Sequence, residues 1–135
     1  IYEDLRSFTN SLVICIFVAN MTGPRYNYPQ VRGILDALTG LEIDVGEMLL
    51  IGERNFNLLK ILAARAGYTR EDDGLPRRLK EPLPRGASAG RPIPDDLLQR
   101  MIDEYYEQRG WDRHGPTDAK LEELGLEELN GLIRR

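Results

Sequence analysis

The single cysteine, Cys15, is the side chain in this sequence whose chemistry is best suited to a metal centre. Its thiolate is the soft, charged ligand that iron–sulfur clusters require. One sulfur does not hold a cluster by itself, however, and a lone cysteine between Ile14 and Ile16 is also typical of a small buried hydrophobe. From the residue alone we favour the buried hydrophobe, and a single cysteine fits a reducing, cytoplasmic setting.

The other titratable candidates indicate structural roles. His114, the only histidine, is flanked by glycine and proline and is predicted to be an exposed turn residue. Asp72 and Asp73 are adjacent, so their carboxylates point in different directions and no third ligand is suitably spaced for a hard metal. We interpret them as a helix cap and as partners of nearby arginines. The sequence contains no nucleophile–base pair, and no catalytic residue is assigned.

The stretch from Asp44 to Gly67 is predicted to be the central helix against which the rest of the chain packs. Its apolar residues recur at the three-and-four spacing of a helix, and the stripe is wide enough to predict burial on more than one side. Asp44 and Glu47 form a capping-box pattern at its start, and Gly67 is placed to end it in a left-handed conformation.

The remaining apolar patterns also predict helices. They are a first helix with Ile1, Leu5, Phe8 and Leu12 on one face, a helix over Gln30–Thr39 that stops at Gly40, a helix over Asp95–Arg109 that is capped by Asp95 or Asp96 and stops at Gly110, and a short helix from Thr117 to Leu124 closed by Gly125. We predict that Tyr105, Tyr106 and Trp111 pack in a core or against another domain. Leu12–Ala19 is predicted to be buried, either as a strand or as a helix end.

Residues 68–94 form a proline-rich connecting loop, with five of the eight prolines. A loop of this length is functional, packed down or disordered. We favour a packed loop, with the single apolar residues Leu75, Leu79, Leu83 and Ile93 as its anchors. Fixed proline dihedrals reduce the entropy lost when such a path is ordered.

Composition limits the classes of function. The 135 residues are 41% hydrophobic and 30% charged, which suits one folded domain, residues 1–135. A net charge of −4 argues against a nucleic-acid partner, and no apolar run is long enough to cross a membrane. The predicted class is mainly α: an irregular helical domain with a long proline-rich packed loop.

Four strings in a fixed order carry a resemblance to a known family. They are GERNFNLLK (52–60), GYTREDDGLPRRL (67–79), EPLPRGASAG (81–90) and DEYYEQRGWDRHGPT (103–117). In this order and spacing they resemble the C-terminal helical domain of the tungsten-containing aldehyde:ferredoxin oxidoreductases, and the likeness runs from about Asn10 onward. The chain is therefore expected to be a fragment of a longer enzyme, and it starts with Ile1 rather than Met.

The resemblance implies a function for the longer enzyme. Family members oxidise aldehydes to carboxylic acids and pass two electrons from a tungsten (or molybdenum) bis-pterin to a [4Fe–4S] cluster and on to ferredoxin. The implied partners are the upstream domains of the same protein, ferredoxin and a small aldehyde, without nucleic acid or membrane. A homo-oligomer is compatible with the sequence, and the fragment alone is expected to bind no cofactor and to be inactive.

The resemblance also implies site residues. The family's D-x-x-G-L-C motif aligns with Asn10–Cys15, which places Cys15 as the fourth cluster thiolate and Asn10 and Ile14 at the pterin. Two positions depart from the motif. Asn10 replaces an aspartate and so loses a charge, and Val13 replaces a glycine where a positive φ or a close backbone approach is needed.

Two expectations remain open from the sequence. One alternative is a divergent helical scaffold or interaction domain that has lost the redox role, and the Asn10 and Val13 departures support it. We also expect the isolated chain to be partly disordered at its N-terminal end or to self-associate through the apolar patch Leu12–Phe17.

Overall fold

The computed structural model describes residues 1–15, 17 and 28–132, and it is mostly helical, as the sequence predicts. The elements are α1 (Tyr2–Ser11), α2 (Tyr28–Thr39), α3 (Val45–Arg65), a 3₁₀ turn (Arg70–Asp72), α4 (Arg77–Lys80), α5 (Asp95–Arg109), β1 (Trp111–Asp112), β2 (Gly115–Pro116), α6 (Asp118–Glu123) and a second 3₁₀ turn (Glu127–Leu129). They form two compact units, Ile1–Lys60 and Ile61–Arg135. The single-domain interpretation of residues 1–135 stays a prediction.

The first unit is organised around one apolar cluster. Phe8 of α1, Val31 of α2 and Met48 of α3 are buried together, so each of its three helices contributes one core side chain. Partly buried residues surround them: Leu12, Leu35, Ile43 and Ile51. The predicted face of the first helix is therefore correct at Leu5, Phe8 and Leu12, whereas Ile1 is exposed.

Within this unit α1 approaches α3 backbone to backbone. A Cβ built on Gly52 would lie 1.8 Å from the carbonyl oxygen of Asp4. No side chain can occupy that space, so glycine is required at position 52 for α1 to sit at this distance.

Helix α3 has the predicted ends. The Asp44 carboxylate accepts a hydrogen bond from the Glu47 N–H, and the Glu47 carboxylate accepts one from the Asp44 N–H, each at 2.8 Å. Gly67 has a φ of +95° after the last turn. The prediction that the helix is covered on more than one side is wrong at Leu59 and Leu62, which are 58% and 61% exposed.

The predicted bounds of the other helices are close to the observed ones. Helix α2 starts at Tyr28 rather than Gln30, which places Pro29 in the first turn. Backbone N–H groups in the first turn have no partner within the helix, so proline, which has no N–H, costs no hydrogen bond there. Helix α5 spans Asp95–Arg109 as predicted. Its N-cap is Pro94, with no side-chain capping bond, so the prediction of an Asp95 or Asp96 cap is wrong.

The second unit packs its aromatic residues at the end of α5. Trp111 lies edge-on to Tyr106 and Tyr105, with ring centroids 5.4 and 5.7 Å apart, as the packing prediction requires. Beyond the short β1–β2 hairpin, the Thr117 hydroxyl accepts a hydrogen bond from the Lys120 N–H and so caps α6. Buried Leu121 and Leu124 complete the apolar interior of this region.

The proline-rich loop is partly buried in its first part, and its later apolar residues are exposed. Residues 69–75 include partly buried positions, but Leu79, Leu83 and Ile93 are 59%, 54% and 44% exposed. The prediction that these three anchor a packed loop is therefore wrong. Three apolar side chains spaced far apart along an exposed path give too little burial to hold it down.

Among the described residues, the helices are all too short or too polar to cross a membrane.

Candidate functional site

The segment that carries the predicted cofactor residues follows the end of α1. Leu12 is the C-cap of this helix. The backbone N–H groups of Leu12 and Val13 donate to the carbonyl oxygens of Thr9 and Asn10, at 3.2 and 3.0 Å. These bonds satisfy carbonyls that the helix would otherwise leave unpaired.

Val13 turns the chain away from the helix through an unusual backbone conformation. Its φ is +57°, and in the described ranges it is the only residue other than glycine with a positive φ. A β-branched side chain is strained there, at a cost of roughly 1–2 kcal/mol. The side chain is also 92% exposed, so packing within the described chain does not offset that cost.

The three predicted site residues lie in the last turn of α1 or just after the helix end. Asn10 is exposed, Ile14 is partly exposed, and Cys15 is exposed with a free thiol. The exposure of Cys15 contradicts its interpretation as a small buried hydrophobe. The burial predicted for Leu12–Ala19 is also wrong at Val13 and at Phe17, which is 83% exposed. Residues 16, 18 and 19 lie outside the described residues.

The turn after α1 offers a thiol as a possible metal ligand. Within the described part of the chain, no three histidine, cysteine or acidic side chains are arranged to hold a metal ion. Cys15 is a single accessible sulfur donor. It is suited to act as one of four thiolates of a [4Fe–4S] cluster whose other ligands come from elsewhere.

A second polar arrangement joins the start of the proline-rich loop to α5. The Arg70 guanidinium donates to the Asp103 carboxylate, with Nε 2.9 Å from Oδ1, and to the Gln99 side-chain oxygen at 3.1 Å. The Arg70 backbone N–H donates to the Arg113 carbonyl oxygen at 2.8 Å. Arg70 thus joins the start of the loop to α5 and to Arg113 within the second unit.

The same loop is held by a tyrosine. The Tyr106 hydroxyl donates to the Asp73 carboxylate. Burial, and then this carboxylate, raise the pKa of Tyr106 well above its ordinary value of 10.0. Asp72 closes a capping box with Thr69, so its predicted capping role is confirmed. Asp73 accepts from Tyr106, and its predicted pairing with an arginine stays a prediction.

Sequence reasoning missed Arg70 and Tyr106 as partners across the loop. They lie 33 residues from Asp103 and Asp73, respectively, so no local spacing rule could pair them. His114, by contrast, is an exposed turn residue as predicted. Its backbone N–H donates to the Asp112 carboxylate at 2.8 Å, which shapes the β1–β2 turn.

The comparisons with known proteins agree with the sequence strings. Residues 1–126 match the family model described as aldehyde ferredoxin oxidoreductase, domains 2 and 3. The chain belongs to the aldehyde ferredoxin oxidoreductase family. The resemblance inferred from the four strings is thereby confirmed, as is the mainly α class.

Several known proteins are similar to this chain over nearly its whole length. A tungsten-containing aldehyde ferredoxin oxidoreductase of Pyrococcus furiosus is 34% identical over 132 residues, or 96% of this chain and 21% of that protein. One from Thermococcus kodakarensis is 32% identical over the same shares. An aliphatic sulfonate oxidoreductase, WOR-like subunit, of Pyrococcus furiosus is 34% identical over 140 residues, 98% of this chain and 22% of that protein. The chain spans about a fifth of the length of these relatives.

Proposed function

We propose that this chain is the C-terminal helical part of an oxidoreductase that converts aldehydes to carboxylic acids with ferredoxin as electron acceptor. Membership of the family supports the class of reaction. The observation that carries the proposal for this chain's own part is the exposed thiol of Cys15 at the turn after α1. An accessible sulfur at a defined turn is what a cluster assembled between domains needs.

Each residue at the turn has its own proposed role. Cys15, as a thiolate, would ligate one iron of a [4Fe–4S] cluster, and Asn10 and Ile14 would line the pterin side of the cofactor site. When bound, the tungsten (or molybdenum) pterin and the cluster supply two-electron oxidation of the substrate and one-electron transfer to the acceptor. The amide of Asn10 can both donate and accept a hydrogen bond, so it can orient a polar ring edge without adding charge.

The proposed substrate is a small aldehyde. The aldehyde ferredoxin oxidoreductases of Pyrococcus and Thermococcus support this substrate class, while the WOR-like relative is an aliphatic sulfonate oxidoreductase. The oxidation itself is expected to use residues outside this chain, because the turn offers a cluster ligand and pterin contacts and no general acid or base.

The test of the ligand role is Cys15→Ala in the full-length protein. We expect this variant to lose cluster iron and the electron paramagnetic resonance (EPR) signal of the reduced cluster, and with them electron transfer to ferredoxin. Cys15→Ser, which keeps the size and offers a harder oxygen ligand, is expected to retain less iron than the unmodified protein. Leu38→Ala, which removes a side chain that is 78% exposed on α2, is the matched control and should retain full iron. Full iron content and unchanged electron transfer in Cys15→Ala would refute the ligand role.

A second candidate is a helical scaffold or interaction domain that has lost the redox role. The strained Val13 and the uncharged Asn10 support this candidate, because both depart from the family motif at the cofactor side. The two candidates are distinguished by the rest of the gene. A C-x-x-C-x-x-x-C group and a pterin-binding domain upstream would favour the enzyme, and a gene that lacks both would favour the scaffold.

A further inference from the structure

We propose that the exposed part of the proline-rich loop, residues 76–94, is the surface on which the first domain of the longer protein docks. The family model that matches residues 1–126 describes domains 2 and 3, and the chain spans about a fifth of the length of its relatives. The first domain of such a protein is therefore not among the domains that this chain matches. The proposal rests on this family relationship and is independent of the ligand role of Cys15.

Residues 76–94 follow a defined path although every one of them is exposed. Five prolines restrict the backbone of this segment. The Gly90 N–H donates to the Leu83 carbonyl oxygen at 3.0 Å, and the turn between them has Gly86 at a φ of +100°. A segment fixed in this way loses little further conformational entropy when another surface binds it.

The same segment exposes three large apolar side chains, those of Leu79, Leu83 and Ile93. Single apolar residues along a proline-rich path are the pattern that predicted a packed loop, and the described chain leaves all three exposed. Removing their apolar surface from water would stabilise the protein. The surface that could cover them is therefore expected outside this chain.

The charge of the segment indicates what kind of surface fits it. Residues 76–94 carry five basic side chains and one acidic one, Glu81, whereas the whole chain has a net charge of −4. Glu81 already pairs with Arg78 at 2.7 Å, and Arg85 and Arg91 have no ion-pair partner within the described residues. An acidic surface with an apolar centre would match both the arginines and the exposed apolar side chains, since arginine is enriched in protein interfaces and opposite charges favour the correct partner.

A domain of the same polypeptide is the occupant that these features favour. About four-fifths of the length of the relatives lies beyond the part that this chain matches, which is ample for a further domain. A covalently joined domain is present at a high effective concentration, so even a small interface on the loop is occupied. A second copy of the chain or a separate protein lacks that advantage.

The test measures how fast phenylglyoxal modifies the Arg85 guanidinium in the purified full-length protein. Mass spectrometry follows the modification in the folded protein and in the same protein unfolded in urea. We expect Arg85 to react about tenfold more slowly in the folded protein, because docked surfaces must separate before the reagent reaches it. Dilution should leave this ratio unchanged, because both surfaces belong to one polypeptide.

Substitutions at Leu83 test whether the loop itself is docked. Leu83→Asp should raise the reaction rate of Arg85 in the folded protein by about fivefold or more, since a charge in the apolar centre of an interface disfavours docking. Leu83→Met, which keeps the apolar volume, should retain the protection. Met101→Asp is the matched control, because Met101 is also an exposed apolar side chain but lies on α5, and it should leave the rate unchanged.

Three results would overturn the proposal. They are an Arg85 reaction rate in the folded unmodified protein within about twofold of the unfolded rate, protection that disappears on dilution and so comes from a second copy, and a rate increase in Met101→Asp as large as that in Leu83→Asp. The unmodified protein decides even if Leu83→Asp is not recovered folded. Iron content in Cys15→Ala is a separate measurement, so failure of the ligand role and failure of the docking proposal are distinguishable.

Discussion

Helices α1 and α5 are each followed by a residue with a positive φ, but the chain then enters different environments. Val13 after α1 has a φ of +57°, and Gly110 after α5 has a φ of +65°. The first turn leads to the exposed Cys15, whereas the second leads directly to Trp111, which is 9% exposed. Gly110 also has close neighbours, since a Cβ there would lie 3.2 Å from the Lys120 Cβ.

The two turns differ in how closely the rest of the chain surrounds them. At Gly110 the turn closes a packed region, and glycine avoids both backbone strain and a steric contact. At Val13 the backbone is strained and the side chain is exposed in the described residues, two positions before the exposed thiol of Cys15. Four substitutions test whether the two turns differ in this way.

The largest effect is expected from Trp111→Ala. Trp111 is buried against Tyr105 and Tyr106, so removing the indole should lower the free energy of unfolding by about 3–5 kcal/mol. Denaturant unfolding followed by circular dichroism measures it. Tyr68→Ala, at a side chain that is 60% exposed, is the control and should change little. A loss below about 1 kcal/mol would mean that the turn after α5 does not close a packed core.

Gly110→Val places a valine after α5, at a positive φ like that of Val13 after α1. We expect it to lower the free energy of unfolding by about 2–3 kcal/mol, because left-handed strain adds to the contact with Lys120. Gly40→Val is the matched control: Gly40 has a φ of +70° and nothing within 4 Å of a built Cβ, so only the strain should appear. Equal losses in the two variants would show that the contact with Lys120 is unimportant.

Tyr106→Phe tests the contact that holds the loop on α5. Loss of the hydroxyl leaves Asp73 without this donor, and we expect a destabilisation of about 1–2 kcal/mol. The pKa of Tyr106 is raised on folding, so above pH 10.0 the unfolded chain loses the tyrosine proton first and stability falls as pH rises. Denaturant midpoints measured from pH 8 to about 11 should therefore fall less with pH in the phenylalanine variant than in the unmodified protein. If the denaturant midpoints of the two proteins depended on pH in the same way, the Tyr106 pKa would not contribute to the alkaline loss of stability.

Val13→Gly should have the smallest effect, and of opposite sign. Relief of left-handed strain, partly offset by the greater flexibility of glycine in the unfolded chain, is expected to raise the free energy of unfolding by about 0.5–1 kcal/mol. The same denaturant titration measures the gain, and a lower midpoint for the variant would show that valine is not strained at this turn.

Much of the fold follows from local rules. Asp44 with Glu47, and the glycines at positions 40, 67, 110 and 125, mark helix ends in the sequence and do so in the structure. The family follows from four strings whose order is hard to obtain by chance.

The rest depends on information that local rules do not contain. Apolar runs predict burial, and the run that starts at Leu12 is instead exposed at Val13 and Phe17. A left-handed valine has no propensity signal, because β-branched residues rarely adopt that conformation. The Arg70–Asp103 and Tyr106–Asp73 pairs join residues far apart in sequence and become visible only when the loop lies on α5.

The contact between Gly52 and the Asp4 carbonyl has a consequence for anyone who redesigns this protein. Because main-chain atoms alone set the separation of the two helices there, one added methyl group would force them apart near the start of α1, the helix that precedes Cys15. Mutational libraries should therefore leave residue 52 unvaried, although it lies in α3 and is far in sequence from Asn10, Ile14 and Cys15.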